Sequence, residues 1–142
     1  MENQEFTQMV KKLVKLIEAP ANSTDGILVQ LQFPEIPFEI KRVYYIYGVS
    51  AGAVRGAHTH KEIVQALFCI QGSIVIALDD GKTKEKVTLD KPNVGVLLEP
   101  GVWHEMQDFQ KDTIILVLAS EKHEPEDYIR SYEDFLNLYA KG

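Results

Sequence analysis

Hydrophobic and polar positions alternate in short segments along the middle of the chain. Residues 42–47 are aromatic and β-branched, and residues 84–89 alternate polar with apolar side chains. Residues 113–120 are almost continuously apolar, which predicts a strand buried on both faces. Such strands recur at a spacing of about 8–12 residues without a long helical pattern between them, which favours an antiparallel sandwich or barrel. We therefore predict an all-β domain.

Glycine-containing turns separate these segments. Gln71-Gly72 lies between two apolar runs and predicts a hairpin turn. Residues 79–82 contain Gly81 and predict another, because glycine accepts the positive φ that tight hairpins require. On such a turn the neighbouring carboxylates Asp79 and Asp80 diverge, so we do not interpret them as a catalytic pair.

The two ends of the chain show a different, helical spacing of apolar residues. At the C-terminal end this spacing predicts an amphipathic helix over residues 125–140 that covers the sheet. It is formed by Tyr128, Ile129, Tyr132, Phe135, Leu136 and Tyr139. At the N-terminal end Phe6, Val10, Leu13, Val14 and Ile17 also fit a helix. Residues 14–18 could equally pair with residues 27–32 as a hairpin, and periodicity does not decide over so short a run.

Composition and charge limit the class of protein. The chain has 142 residues, of which 45% are hydrophobic and 25% charged, as in one ordinary globular domain. A formal charge of −6 argues against general nucleic-acid binding. A small anionic ligand stays possible, because a few arginines can hold a phosphate. No apolar run is long enough for a membrane span or a signal peptide, so we expect no membrane association and a cytoplasmic location.

The candidate chemistry centres on a pair of histidines. His58 and His60 are one residue apart, so a strand would project both to one face, and His104 could join them from a facing strand. A metal site usually adds a carboxylate ligand to such a set. Gln65 stands where that carboxylate is expected, and a neutral amide is a poor substitute; Glu62 is another possible ligand. The pattern therefore favours metal-free proton transfer, which histidine suits because its ordinary pKa is about 6.5.

The same residues resemble the two cupin motifs. Gly56, the histidine pair, Gln65 and Gly72 match the first motif, with glutamine in place of glutamate. Gly95, Pro100 and His104 resemble the second, but the proline-to-histidine spacing is one residue short and the final asparagine is absent. This resemblance implies a small jelly-roll barrel.

Five further segments narrow the family. In chain order they are PFEIKRVYYIYGV, RGAHTHKE, LDDGKTKEKVTLDKP, GVWHEMQDF and VLASEKHEPEDYIRSYEDF. Together they resemble the cupin-type sugar-nucleotide 3,4-ketoisomerases, which act on dTDP-4-keto-6-deoxyglucose, and the resemblance extends from about Leu28 to the C-terminus. It implies a cupin jelly-roll barrel, strands near residues 14–18 and 28–31, and a homodimer with exchanged N-terminal strands. It also implies no cofactor and no metal. Residues 14–142 are then one domain, which the predicted C-terminal helix completes, and residues 1–13 an N-terminal extension.

The resemblance also implies roles for individual residues. His58 and His60 are the acid–base pair that moves a keto group from carbon 4 to carbon 3 through an enediol, in deoxysugar biosynthesis for a surface polysaccharide or glycan. Gln65 and His104 are candidate donors to the enediolate oxygens, and Arg42 and Arg55 the candidate diphosphate ligands. Tyr44 either binds sugar or phosphate or belongs to the core. Trp103 either packs against the ligand or caps the barrel. His123 is expected to be exposed rather than functional.

Two other functions fit the same residues. A 3,5-epimerase acting on the same substrate shares the Arg-Gly-x-His turn and would invert carbon 5. A non-catalytic cupin would bind a small ligand or a metal without turnover.

Overall fold

The structure, a computed structural model, describes residues 13–140 and consists mainly of β-strands. Its strands are β1 Leu16–Glu18, β2 Ala21–Ser23, β3 Ile27–Val29, β4 Arg42–Ile46, β5 Arg55–His60, β6 Gln65–Gln71, β7 Ile74–Asp79, β8 Lys84–Leu89, β9 Val94–Leu98, β10 Trp103–Gln107, β11 Ile114–Ala119 and β12 Tyr128–Ile129. The prediction of an all-β domain is confirmed.

Ten of these strands form two antiparallel sheets. The first sheet has the order β1-β9-β6-β11-β4, and the second has the order β12-β5-β10-β7-β8. Their inner faces enclose the main core. From the first sheet it contains Leu67, Cys69, Val96, Leu98, Ile115 and Val117, and from the second Ile74, Ile76, Leu78, Leu89 and Met106. This barrel of two packed sheets is the predicted jelly roll.

The outer face of the first sheet is covered only in part. Phe68 and Leu118 are buried there beneath residues 29–40. Val43, Tyr45 and Tyr47 alternate along β4 and its end with exposed fractions of 56%, 65% and 70%. We call these three residues the open face. The predicted two-sided burial of β11 holds from Val117 to Ala119, whereas Ile114 and Leu116 are only half-buried.

One of the two predicted hairpins is present and the other is not. β7 and β8 pair across residues 79–82, where the Asp79 and Asp80 side chains accept hydrogen bonds from the backbone of the turn. The hairpin at Gln71-Gly72 is wrong, because β6 lies in the first sheet and β7 in the second. Gly72 instead turns the chain from one sheet to the other, and a side chain there would clash with Thr113.

The N-terminal region contains strands, as the resemblance implied. β1 occupies part of residues 14–18 and pairs with β9, with Leu16 opposite Val96. The hairpin between residues 14–18 and 27–32 is wrong, because β3 pairs with β2 instead. The β2–β3 hairpin forms its own two-stranded sheet and exposes Ile27 and Leu28 by 74% and 56%. Phe6, Val10 and nearly all of the predicted extension lie outside the described residues.

The prediction of one continuous helix over residues 125–140 is wrong. Pro125–Asp127 form a 3₁₀ turn, and β12 then pairs with the free edge of β5, with Tyr128 opposite His60. Only Tyr132–Phe135, named α1, is α-helical, and Leu136–Ala140 continues as a π-helix. The side chain of Ser131 caps α1 by accepting from the amide of Asp134. No helix in the described part of the chain is long and apolar enough to cross a membrane.

The C-terminal segment, residues 123–140, covers the outer face of the second sheet. Phe135 and Ile129 are buried there against Trp103. The Tyr132 hydroxyl donates a 2.6 Å hydrogen bond to Asp79, which ties this segment to the β7–β8 turn. The segment thereby fixes the position of residues 127–130 beside the histidine strand.

Candidate active site

Three histidine side chains meet inside the barrel. β5 supplies His58 and His60, and β10 supplies His104, whose Cα lies opposite that of His58. The ring centroid of His58 lies 5.0 Å from that of His60 and 4.5 Å from that of His104. His60 and His104 are buried, with exposed fractions of 2% and 3%, and His58 is half-buried. The predicted grouping of these three residues is therefore present in the structure.

A β-bulge in β5 places His58 in this cluster. Gly56 and Ala57 both have positive φ, 83° and 53°, and the register with β10 shifts beside His104. A Cβ on Gly56 would lie 3.1 Å from the His104 carbonyl oxygen, so glycine allows the two strands to approach closely here. Bulges of this kind re-aim side chains near functional sites.

Burial keeps all three imidazoles neutral near pH 7. Desolvation is the main cause that lowers the pKa of His58. Desolvation, and then the neighbouring His58, lower the pKa of His60 to about 4, although Asp127 acts in the opposite direction. Complete burial lowers the pKa of His104 well below its ordinary value. A neutral imidazole has one unprotonated nitrogen, so each ring can accept a proton.

The hydrogen-bond partners of the rings differ. Nδ1 of His58 donates to the carbonyl oxygen of Gly56 at 2.9 Å, and Nδ1 of His60 donates to Oδ2 of Asp127 at 3.2 Å. Nε2 of His60 and Nδ1 of His104 are buried and have no hydrogen-bond partner. Buried polar atoms without a hydrogen-bond partner are rare in folded proteins, and a bound ligand could supply the missing partner.

The histidine cluster does not complete the metal site that the cupin motif would provide. The ligand atoms of His58, His60 and His104 lie within 4.8 Å of one another, and in the described part of the chain no carboxylate joins that group. Gln65, at the carboxylate position, donates from Nε2 to the Tyr44 hydroxyl at 3.0 Å. Glu62 is exposed. Among the residues that the structure describes, the three imidazoles lack the carboxylate ligand that would complete the four-ligand site.

A cavity of about 600 Å³ opens beside His58. It is lined by Arg42, Tyr44, Arg55, His58, His123, Tyr128 and Arg130, together with Ile46, Val54, Gly56 and Met106. The Arg42 guanidinium lies 4.6 Å from the centre of the Tyr44 ring, and Nη1 of Arg42 donates to Nδ1 of His123 at 3.0 Å. Three arginines at one cavity suit a ligand with several negative charges.

A second cavity of similar volume, about 630 Å³, lies away from the histidine cluster. Tyr47, Gln71 and residues 109–114 form most of its lining, which contains no histidine or arginine. It therefore lacks both a group for proton transfer near neutral pH and a guanidinium for phosphate. We place the candidate active site in the first cavity.

Four of the eight residues predicted for the site line this cavity, namely Arg42, Tyr44, Arg55 and His58. His60 and His104 are packed against His58, and Gln65 is buried with its amide on the Tyr44 hydroxyl. Trp103 is not in the cavity. Its neighbour His104 faces into the barrel, so Trp103 lies on the outer face of the second sheet, packed on Phe135, and its Nε1 donates to Glu105. We therefore remove Trp103 from the proposed ligand contacts.

Sequence reasoning missed the C-terminal contribution to the site. His123, Tyr128 and Arg130 line the cavity, and Asp127 bonds His60. His123 is exposed, as expected, yet it stands at the mouth of the cavity rather than in a separate loop. The helical interpretation of residues 125–140 concealed these positions. Pro125 and the alternation of Tyr128, Ile129 and Arg130 were the available signals of a short strand.

Comparisons with known proteins identify the family and similar enzymes. The family model described as FdtA: WxcM-like, C-terminal matches residues 9–140. A TDP-4-oxo-6-deoxy-alpha-D-glucose-3,4-oxoisomerase from Aneurinibacillus thermoaerophilus is 48% identical over 106 residues, which cover 75% of this chain and 76% of that protein.

Two crystal structures share the fold at substantial sequence identity. QdtA, a sugar 3,4-ketoisomerase from Thermoanaerobacterium thermosaccharolyticum in complex with TDP, matches with a TM-score of 0.88 and 38% identity, covering 92% of this chain and 97% of that one. WlaRB, a TDP-quinovose 3,4-ketoisomerase from Campylobacter jejuni, matches with a TM-score of 0.83 and 41% identity, covering 89% and 98%.

Proposed function

The chain belongs to the FdtA family, WxcM-like C-terminal, and we propose that it is an isomerase that moves the keto group of a dTDP-4-keto-6-deoxyhexose from carbon 4 to carbon 3. One observation carries this proposal. Neutral His58, with His60 packed behind it, and the arginines Arg42 and Arg55 meet at a single cavity. One bound sugar nucleotide can then contact His58 with its sugar and the arginines with its diphosphate.

The reaction needs a proton acceptor beside an α-hydroxy ketone. The ketone at carbon 4 acidifies the proton on carbon 3, and removal of that proton gives an enediolate, which becomes the enediol when the oxygen on carbon 4 gains a proton. When carbon 4 then takes up a proton and the hydroxyl on carbon 3 loses one, the ketone lies at carbon 3. The reaction needs no external oxidant. His58 and His60 are both neutral and can accept these protons. General acid–base catalysis of this kind contributes roughly 10²–10⁴-fold.

The remaining residues bind and orient the substrate in this proposal. Arg42 and Arg55 bind the diphosphate through paired hydrogen bonds, and Arg130 adds a third positive charge at the same cavity. Tyr44 contacts the sugar or phosphate. Gln65 holds the Tyr44 hydroxyl and so orients it rather than contacting the enediolate directly. His104 packs against His58 and is a candidate donor to the sugar oxygens.

We further propose that the protein is a homodimer with exchanged N-terminal strands. The β2–β3 hairpin is not paired with either large sheet, and it exposes Ile27 and Leu28. The open face exposes three more large apolar side chains. Apolar surface of this kind marks an interaction site. A second copy of the chain would cover both regions. In this proposal residues 14–142 form the domain, residues 1–13 extend it, and the enzyme serves deoxysugar biosynthesis for a surface glycan in the cytoplasm.

The decisive experiment is incubation with freshly prepared dTDP-4-keto-6-deoxyglucose, followed by NMR of the product. We expect a ketone at carbon 3, full activity after exhaustive chelation, and loss of at least about 100-fold in His58→Asn and His60→Asn. Inversion at carbon 5 would instead identify an epimerase. Tight binding of the nucleotide without any turnover, or activity lost on chelation, would contradict the proposal and favour a ligand- or metal-binding cupin.

A further inference from the structure

Asp127 is the charged group in direct contact with the histidine pair. It is the last residue of the 3₁₀ turn of the C-terminal segment, and its Oδ2 lies 3.2 Å from Nδ1 of His60. Its side chain is 10% exposed. The cavity lining does not include Asp127, and its hydrogen bond to His60 connects it with the histidine cluster. Nothing in the proposed proton transfer yet uses this carboxylate.

Backbone hydrogen bonds hold the Asp127 carboxylate independently of His60. Oδ1 accepts from the amide of Glu62 at 3.0 Å, and Oδ2 accepts from the amide of Ile63 at 3.1 Å. The carbonyl oxygen of Asp127 accepts from the amide of Lys61 at 3.0 Å. Because both carboxylate oxygens and the main chain are anchored to residues 61–63, the carboxylate has a fixed direction relative to β5. It cannot rotate away when the protonation of His60 changes.

This geometry fixes which nitrogen of His60 carries the proton. A carboxylate only accepts hydrogen bonds, so the 3.2 Å contact requires the proton on Nδ1. The lone pair of the neutral ring then lies on Nε2, which is buried without a partner. The Tyr128 ring packs on His60 with its centroid 4.4 Å away and limits rotation of the imidazole.

His58 and His60 differ in the group that accepts the hydrogen bond from Nδ1. His58 donates to a neutral carbonyl, whereas His60 donates to a carboxylate. When Nε2 of His60 takes up a proton, the resulting imidazolium is paired with a negative charge at hydrogen-bond distance. A charge-assisted bond of this type is roughly twice as strong as a neutral one. The Asp127 carboxylate therefore favours the protonated intermediate as well as the resting tautomer.

We propose that Asp127 is a positioning residue for the ketoisomerase reaction, which keeps the proton of His60 on Nδ1 and presents the Nε2 lone pair to the sugar. This inference rests on the proposed function. In the step that it serves, a proton leaves the substrate for Nε2 while the electron pair of the broken bond stays on the substrate. The proton taken up by Nε2 leaves it again before the reaction is complete, so that the ring ends neutral as it began. Asp127 does not itself become protonated.

The first test is the tautomer of His60 in the unmodified protein. Long-range ¹H–¹⁵N NMR at pH 7 distinguishes a ring protonated on Nδ1 from one protonated on Nε2. We expect the Nδ1–H form for His60. A ring with its proton on Nε2 would overturn the inference, whether or not any substrate is turned over. If the Nδ1–H form is found but the protein does not act on the sugar nucleotide, only the proposed function fails.

The second test compares Asp127→Asn with Asp134→Asn. An amide offers a donor as well as an acceptor, so it no longer dictates the tautomer, and the Nε2–H form of His60 should gain population. We expect kcat to fall about 100-fold or more, with KM and the affinity for TDP within about 2-fold of the parent. Asp134 is an exposed aspartate of the same C-terminal segment, and its variant should keep parental kcat. A kcat within about 3-fold of the parent in Asp127→Asn would contradict the inference.

A double-variant cycle separates positioning from a purely structural role. If Asp127 acts through His60, then Asp127→Asn should not slow the His60→Asn enzyme further. A structural role predicts that the two losses multiply, and that outcome would overturn the inference. Thermal unfolding of each variant, measured in parallel, identifies any that fails to fold, and the tautomer measurement on the parent protein then decides.

Discussion

The two sheets of the barrel differ in how their outer faces are covered. The second sheet is covered by the chain's own C-terminal segment, which buries Phe135 completely against Trp103. Within residues 13–140, the first sheet is covered beneath residues 29–40, and the open face at Val43, Tyr45 and Tyr47 stays more than half exposed.

The C-terminal segment both covers the second sheet and supplies residues to the candidate active site. The segment that buries the outer face of the second sheet also brings Asp127 to His60 and Tyr128 and Arg130 to the cavity. Stability of the second sheet and organisation of the site are therefore linked through the same residues. The open face has no such link to the histidines, and in our proposal a second copy of the chain covers it.

The largest effect is expected when the covering of the second sheet is removed. Phe135→Ala deletes a fully buried aromatic ring and should lower the free energy of unfolding by about 3–5 kcal/mol, measured by denaturant titration. Turnover should fall as well, because residues 127–130 lose their anchor. Leu138→Ala is the control in the same segment, since Leu138 is 60% exposed and should cost less than about 0.5 kcal/mol. Equal losses in the two variants would show that the segment is not a packed cover.

The next effect is a pH dependence that originates on the inner face of the second sheet. The pKa of His60 is about 4 in the folded protein, below its ordinary value of 6.5. Between these values the unfolded chain binds a proton that the folded chain does not, so stability decreases as the pH falls from about 6.5 to about 4. We expect a loss of roughly 2 kcal/mol from this residue.

Desolvation is the main cause of the low pKa of His60; the neighbouring His58 and Arg42 lower it further, whereas Asp127 raises it. His104 also faces the His60 ring. The pKa values of His58 and His104 are lowered as well, so both residues add to the loss of stability at low pH. Denaturant titrations at pH 7, 5.5 and 4.5 measure the slope, and His60→Asn should flatten it. A stability that is constant over this range, or that rises as the pH falls, would contradict the assignment of buried neutral imidazoles.

A smaller effect is expected from the hydrogen bond that ties the cover to the β7–β8 turn. Tyr132→Phe removes the donor to Asp79 and should lower the free energy of unfolding by about 1 kcal/mol. The same bond is the main cause that raises the pKa of Tyr132 to about 12. Tyr139→Phe is a matched control, because both tyrosines are 37% exposed. The comparison fails if Tyr139→Phe is as destabilising as Tyr132→Phe.

The smallest effect on chain stability is expected on the open face. Tyr45→Glu places a charge on an exposed position and should change the unfolding free energy of the monomer by less than about 0.5 kcal/mol. It should nevertheless convert the dimer into monomer in sedimentation velocity. Thr88→Glu introduces the same charge at an exposed strand position of the second sheet and should leave the dimer intact. A parent protein that sediments as a monomer would refute the dimer.

The strands were predictable because alternation reports directly which side chains are buried. β8 shows this, because the exposed Lys84, Lys86 and Thr88 alternate with Glu85 and Leu89, which are buried, and Val87, which is half-buried. The corner at Gly72 was not predictable, because a glycine turn between two apolar runs has the same local pattern whether the runs pair or belong to different sheets. The C-terminal segment was misread because Tyr128, Ile129, Tyr132 and Phe135 meet the spacing of a helix while burying their side chains through a short strand followed by a single helical turn.

The site was predictable as far as its residues are close in sequence or share a motif. His58 and His60 follow from their spacing, and Arg42 and Tyr44 follow from alternation along one strand. Asp127 could not be found in this way, because its contact with His60 joins residues 67 apart and depends on β12 reaching the edge of β5. The position of Trp103 follows from strand parity, since its neighbour His104 points into the barrel.

The bulge at Gly56 and Ala57 has a consequence for the arginine that precedes it. Arg55 and His58 are three positions apart, and a regular strand would send their side chains to opposite sides of the sheet. In the bulge two residues of β5 occupy the place of one, so the effective spacing of Arg55 and His58 is two positions. The guanidinium and the imidazole therefore face the same cavity. Flattening the bulge while keeping all four residues would restore regular alternation and turn the guanidinium and the imidazole to opposite faces. The phosphate-binding half of the motif would then be separated from its proton-transfer half, although every functional side chain would still be present.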